Sequence, residues 1–280
     1  MIQSAVVDGF SFIGADSLGG FWTLQDLQGW HDGVSMRRNR QDRSQQDGVW
    51  ESTGNRAGRP ITLTGMARFS DARNAKMASR NLRGIVGGGR SDMTVTDSGG
   101  SLRATVELDG DIKVGWFNEL MFTWSVLLFA PDPTLYGGAL FGSAGLAGGS
   151  GTGLVYPLVY PRDYGAVAGT PGMVAVGNTG NTAYWPRLRI DGPSPNPVVT
   201  LVETGDWVRF NGTLAAGQWL DIDLGNRRVL LNGQVSLRQF VTSSGKWLAV
   251  PPGGGSVSWA ADSADPAAKL SVWSYEGAWS

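Results

Sequence analysis

Two aspartates, Asp221 and Asp223, flank Ile222 in the run Gln218-Trp219-Leu220-Asp221-Ile222-Asp223. If that run is a strand, side chains two positions apart share one face. Glycoside hydrolysis needs two carboxylates about 5–10 Å apart in a cleft, and same-face neighbours can meet that distance. The commoner reading of such a pair is a solvated outer face, with Trp219 and Ile222 packing where the alternation allows. His31 is the single histidine. A Ser-His-Asp triad would have to use it, yet Trp30-His31-Asp32-Gly33 reads as a turn. The chain has no cysteine, which removes thiol catalysis, thiolate metal sites and redox switching. It contains neither an HExxH motif nor an EF-hand loop, although calcium held by backbone and carboxylate oxygens stays open. The glycine-rich stretches 84–89 and 137–153 lack the lysine and Ser/Thr of a P-loop and the strand–GxGxxG–helix setting of a dinucleotide site. The residues assign no catalytic, cofactor-binding or metal-binding role.

Two kinds of contact residue remain. Arg37, Arg38, Arg40 and Arg43 form the one basic cluster. It could touch phosphates, or it could be a solvated loop or meet an acidic patch on a neighbour; Asp42 and Asp47 dilute it. Of the 12 tryptophans, those at 185, 207, 219, 247, 259, 273 and 279 fall in the stretch from 172 to 280. Aromatics on a sheet serve core packing, subunit contact or sugar stacking. Trp273 and Trp279 are the contact candidates there, and Trp279, one residue from the end of the sequence, is the one most expected to be exposed or bound by a partner.

The elements that position these residues are mostly strands. From 174 to 233 short apolar/polar alternations are cut by turn residues every eight to twelve positions, the pattern of an antiparallel β-sandwich. Glycine makes up 42 of 280 residues, about double its usual share of 7%, and supplies turns between many short strands. Charged residues are 17% of the chain, below the usual value of about 25%, which suggests a surface partly covered by partners. The net charge of −1 argues against a global nucleic-acid or anionic-membrane role. The first residues lack the features of a signal peptide, and no apolar run is long enough to span a bilayer. The protein is expected to be soluble and made without secretion.

Along the chain, strands are expected at Ala5–Phe12 and from Phe21 to Leu27. Residues 35–58 are polar and read as a long exposed loop, with room for a short strand at 48–51. A strand follows at 59–69. One helix is expected near 71–86: Ser70 or Asp71 can cap it, Ala75, Ala78, Leu82 and Ile85 recur at helical spacing, and Gly87 to Gly89 stop it. Asp109-Gly110 reads as a hairpin turn. Residues 112–129 read as one long strand bending near Gly115 or Asn118. Pro131 and Pro133 end it. The expected division is 1–136, a Gly/Pro-rich linker at 137–171, and 172–280. In the last part Asn232-Gly233 and Asn211-Gly212 are type I′ hairpin candidates.

The order of these features resembles the distal tail protein family of long-tailed, non-contractile phages, in particular minor tail proteins of actinobacterial phages. The match is carried by Arg43, Asp47-Gly48 and the RPITLTG run at 59–65; by the helix; by the strand closing on APDPTLYG at 130–137; by Asn178, Gly180, Ala183, Pro186, Leu188, Ile190 and Gly192; and by GQWLDID followed by RRVLLNG. The resemblance implies a mainly β, two-domain fold: an N-terminal β-barrel-like domain with one α-helix, and a C-terminal galectin-like β-sandwich projecting outward. It implies a hexameric ring of this chain at the distal end of the virion tail, assembled after synthesis in the host cytoplasm. That ring would join the tail tube protein to the hub or fibre protein, with DNA passing through it unread. Some relatives carry an inserted carbohydrate-binding module, for which this chain has no room. Two other readings are a sandwich that binds a host surface glycan directly and a glycoside hydrolase using Asp221 and Asp223.

Overall fold

The computed structural model describes residues 2–146, 172–263 and 265–280. The chain divides into two compact units, Met1–Gly137 and Gly138–Trp279.

The first unit is built from β1 (Ser4–Val7), β2 (Phe10–Ser11), β3 (Gly14–Ala15), β4 (Phe21–Gln28), β5 (Met36–Arg37), β6 (Arg40–Asp42), β7 (Val49–Glu51), β8 (Asn55–Arg56), β9 (Arg59–Arg68), α1 (Ala72–Leu82), β10 (Ser91–Asp97), β11 (Gly100–Leu108), β12 (Lys113–Asn118), β13 (Met121–Ala130) and β14 (Leu135–Tyr136). Its main sheet runs β2-β1-β10-β11-β13-β9-β4-β3. β11 pairs along its length with β10 but meets β13 only through Glu107 and Leu108. The expected barrel therefore does not close: β2 and β3 end the path. The strict alternation of β9 and β13, buried at every second residue, turns one face inward. On that face Phe12, Trp22, Phe122 and Trp124 join Leu63, Met93 and Val106 in one core, closed by Ala75, Ala78 and Leu82 of α1.

The helix is shorter than its spacing suggests. Asp71, not Ser70, caps it, its carboxylate accepting from the Asn74 N–H at 3.0 Å. It ends at Leu82 because Gly84 and Ile85 already bond back three residues, to Asn81 and Leu82, a tightening typical of a last turn. The single strand expected over 112–129 is two, β12 and β13, reversed at Asn118, whose side chain accepts from the Leu120 N–H. Asp109-Gly110 does not join a hairpin, since β11 pairs with β13 rather than β12.

The second unit contains β15 (Ala139–Gly145), β16 (Met173–Val176), β17 (Arg187–Asp191), β18 (Ser194–Pro195), β19 (Val198–Leu201), β20 (Trp207–Phe210), β21 (Thr213–Leu214), β22 (Trp219–Asp223), β23 (Arg228–Leu231), β24 (Val235–Ser236), β25 (Val241–Ser243), β26 (Gly255–Ala260), β27 (Lys269–Tyr275) and β28 (Ala278–Trp279). Two sheets, β15-β27-β17-β22-β23-β24 and β16-β26-β19-β20-β25, form a sandwich. Each buries one face, with Leu188, Ile190, Leu220, Ile222, Leu270 and Val272 in the first and Val174, Val199, Leu201, Val208 and Val257 in the second. The stretch expected as a linker thus opens with an edge strand, β15, in register with β27 from Ala139↔Tyr275 to Gly145↔Lys269; residues 147–171 lie outside the described residues. Asn232 and Gly233 have φ of 50° and 71°, the left-handed pair of a type I′ turn, between β23 and β24. Asn211-Gly212 is no hairpin: β20 pairs with β19 and β25, whereas β21 pairs with β18. Among the described residues no helix is long and apolar enough to cross a membrane.

Candidate functional site

The polar stretch 35–58 is a two-stranded ribbon. β5 pairs with β8, Met36 opposite Arg56, and β6 pairs with β7, Arg40 opposite Glu51 and Asp42 opposite Val49. All four strands are exposed at every residue, including Trp50 at 65%. Glu51 Oε1 accepts from Arg38 Nη1 at 3.0 Å and from Arg40 Nε at 3.1 Å. The hydrogen bonds from Arg38 and then Arg40 hold its carboxyl below the usual glutamate range. The Arg43 guanidinium lies 4.5 Å from the centre of the Trp50 ring, a cation–π distance. Of the basic cluster, Arg38 and Arg40 therefore share one carboxylate and Arg43 stacks on an aromatic. Arg37 lines a shallow hollow with Arg38, Asn39 and Ser52.

The outer face of the six-stranded sheet is ruled into straight rows by its register. One row reads Phe141, Trp273, Arg187, Asp223, Arg228 and the next Ser143, Ser271, Arg189, Asp221, Leu230. Arg189 bonds Asp191 at 2.8 Å and lies 4.5 Å over the Trp219 ring, whose Nε1 donates to Asp221 at 3.1 Å. Trp219 thus shares the outer face with the aspartates, while Ile222 points inward and is buried. Asp223 accepts from the backbone and side-chain nitrogens of Asn226 at 3.0 and 2.9 Å. Partial burial pushes its pKa up, but Asn226 and the charges of Arg187 and Arg228 outweigh it, so the net shift is downward. With Asp221 bonded to Trp219 and Asp223 to Asn226, the pair reads as a structural network. Trp273 is 43% exposed and its ring meets Phe141 at 5.3 Å. Trp279 is half-buried, not exposed.

Two motifs that carried no chemistry in the sequence are fastening points. Arg59, 2% exposed, donates through Nε to the Pro133 carbonyl at 3.0 Å, and its Nη1 sits among the carbonyls of Gly29, Trp30 and Asp32 at 2.7, 3.1 and 2.7 Å. Asn178, also 2% exposed, donates to the Thr182 and Val250 carbonyls and accepts from the N–H groups of Gly180 and Ala278. His31 lies in the bend beside Asp32, and no cluster of three or more metal-ligating side chains forms among the described residues.

Residues 179–279 match the family described as the siphovirus-type tail component, C-terminal domain. The matched stretch lies within the second unit. In it the Asn178–Gly180 element, the β17 strand and the β22–β23 pair are the parts that carried the distal tail resemblance in the sequence. No curated protein matches the chain. Among solved structures, the Dit protein of phage SPP1 (gp 19.1), described as a paradigm of the hub adsorption apparatus in phages infecting Gram-positive hosts, aligns with a TM-score of 0.62. The alignment has 10% identity over 97% of this chain and 98% of that one. Chains of the phage p2 baseplate in its activated conformation align with TM-scores of 0.51 with strontium and 0.52 with calcium, again at 10% identity, covering 98% and 99% of this chain and 99% and 100% of theirs. The two units therefore share the fold of these chains along nearly their whole length.

Of the ribbon, the sequence disclosed only the short strand expected at 48–51, which is β7 (Val49–Glu51), and it disclosed nothing of the outer aromatic row. The ribbon gives no alternation because neither face is buried. The row joins residues 132 positions apart through strand pairing, Phe141 with Trp273.

Proposed function

We propose that this protein is a structural component of the phage tail tip that assembles head-to-tail into a closed ring of six copies, joining the tail tube to the hub or fibre protein. Its work is assembly rather than turnover. The observation that carries the reading is the ribbon. An isolated two-stranded ribbon is marginal in water, and this one, from β5 to β8, buries no residue against its own chain. Its Arg43–Trp50 stack and its Arg38–Glu51–Arg40 cluster are contacts suited to a neighbouring copy, since aromatic and arginine side chains are the usual anchors of interfaces. Heterologous contacts of this kind close into rings, and a net charge of −1 per copy keeps repulsion between copies small. The galectin-like sandwich, on this reading, faces outward, and DNA passes through the ring without being read.

The test is the double substitution Arg43→Ala/Trp50→Ala. Self-association, followed by mass photometry or light scattering, should weaken by about a hundredfold or more, as expected for the loss of two interface anchors of about 1.5–2 kcal/mol each. The thermal midpoint of the monomer should move by less than about 2 °C, because exposed substitutions cost little. An unchanged oligomer would show that the ribbon is not the joint.

A further inference from the structure

We infer that the outer face of the six-stranded sheet is a binding site for a neutral oligosaccharide, seated on Phe141 and Trp273 and running toward Arg187, Asp223 and Arg228. This goes beyond the assembly role and does not depend on it.

Among the described residues three large aromatics are exposed on or beside this face. Phe141 is 59% exposed, Trp273 43% and Trp185 49%. Phe141 and Trp273 are cross-strand partners with rings 5.3 Å apart. Trp185 stands two residues before Arg187, and a Cβ on Gly225, two residues beyond Asp223, would lie 3.6 Å from the Trp185 Cβ. The aromatics therefore border the row that continues through Arg187, Asp223 and Arg228. Four steps between strands of about 4.8 Å each extend the row from Phe141 to Arg228 over about 19 Å, the scale of a short oligosaccharide.

The chemistry of the face selects among occupants. Cationic Arg187, Arg189, Arg228 and Lys269 alternate with anionic Asp191, Asp221 and Asp223 along the registered rows. Several are already engaged, Arg189 with Asp191 and Trp219, Asp221 with Trp219, Asp223 with Asn226. Such a balanced surface neither attracts nor repels a charged polymer strongly. It offers donors and acceptors side by side, held in place before binding. A sugar ring has one apolar C–H face, which lies flat on an aromatic, and a rim of hydroxyls that both donate and accept. Phe141 and Trp273 meet the first requirement. Arg187, with its planar fork, and Asp223, with its two oxygens, meet the second.

The probe is an array of neutral gluco-, galacto- and manno-configured hexasaccharides, with calorimetry and tryptophan fluorescence on the best binder, using the full chain. At least one hexasaccharide should bind and perturb tryptophan emission. Trp273→Ala and Phe141→Ala should each weaken it by about tenfold, the value of one lost stacking contact, whereas Trp273→Phe should retain most of the affinity. Should either alanine variant fail to fold, Trp185→Ala supplies the same comparison. Failure of every neutral hexasaccharide to bind would overturn the proposal. So would binding that ignores the aromatic substitutions, or binding only of poly(glycerol phosphate) that Arg187→Gln abolishes, or a Trp273→Ala defect confined to capture of tail-tube or hub protein. The oligomeric state of Trp273→Ala should equal that of the wild type, so loss of sugar binding and loss of ring assembly are separate results.

Discussion

Replacing Arg59 by methionine should destabilise the first unit by about 3–5 kcal/mol, the largest effect expected of any single substitution here. Methionine keeps most of the apolar stem but removes every donor. Four carbonyls, those of Gly29, Trp30, Asp32 and Pro133, then lose the group they face, and each buried polar group left unsatisfied costs about 1–3 kcal/mol. Some will find water as the bend at 29–32 relaxes, which keeps the total below the sum. Burial lowers the Arg59 pKa and the nearby Asp32 carboxylate partly restores it, but a guanidinium in this position stays charged. Arg59→Lys should recover only part of the loss, because one ammonium cannot serve Pro133 on one side and three carbonyls on the other. Chemical denaturation followed by fluorescence reads the effect directly, since Trp30, whose carbonyl Arg59 holds, is buried. A change below about 1 kcal/mol, the range of an ordinary substitution, would mean that the carbonyl cage is dispensable.

The second large effect is expected at Asn178. Its side chain satisfies two carbonyls and two N–H groups at once, linking the turn after β16 to Val250 and to Ala278. Asn178→Ala should cost about 2–4 kcal/mol, since it removes four hydrogen bonds at once and takes the acceptor from the buried Ala278 N–H, while the Val250 carbonyl keeps the Tyr184 N–H. Gly180→Ala tests the same fastening by another route. A Cβ there would collide with the backbone of Ala278, so the closing strand must shift and the loss should be similar. Asn178→Asp is the informative control: it keeps the acceptor oxygen toward Gly180 and Ala278 but points a carboxylate at the Thr182 and Val250 carbonyls. It should fall at least as far as alanine. Equal stability of wild type and Asn178→Ala in urea would remove Asn178 from the account of the sandwich.

Both residues belong to stretches that carried the distal tail resemblance, RPITLTG and the Asn178–Gly180 element. Neither does chemistry; both hold backbone. This explains what the sequence could and could not disclose. Alternation in β9, β13, β17 and β22 was legible because one face of each is buried, and the helix because Ala75, Ala78 and Leu82 recur along one side. Turn chemistry was legible only where it is local. Asn232-Gly233 encodes its own left-handed pair, whereas Asn211-Gly212 and Asp109-Gly110 fix a change of direction without fixing which strands pair. The ribbon lacked the period-two signal altogether, since that signal comes from burial. β15, ALFGSAG, carries no apolar/polar alternation strong enough to mark it as a strand; its pairing with β27 does. The position of Trp279 near the end of the sequence points to exposure or a partner; its ring is partly covered by its own chain, close to Gly277, where an added Cβ would meet it. Asp221 and Asp223 were correctly placed on one outer face, but only their partners, Trp219 and Asn226, show that they are tied into the sheet.

The central claim is the ring, and native mass spectrometry of the 280-residue chain, alone and mixed with the tail tube and hub proteins proposed as its partners, tests it most directly. The expected spectrum is dominated by a sixfold multiple of the 29.7 kDa chain, with partner masses adding to that multiple and with salt weakening it only modestly. A protein that remains at one chain mass at the highest accessible concentration, and takes up neither tube nor hub protein, would contradict the assembly reading.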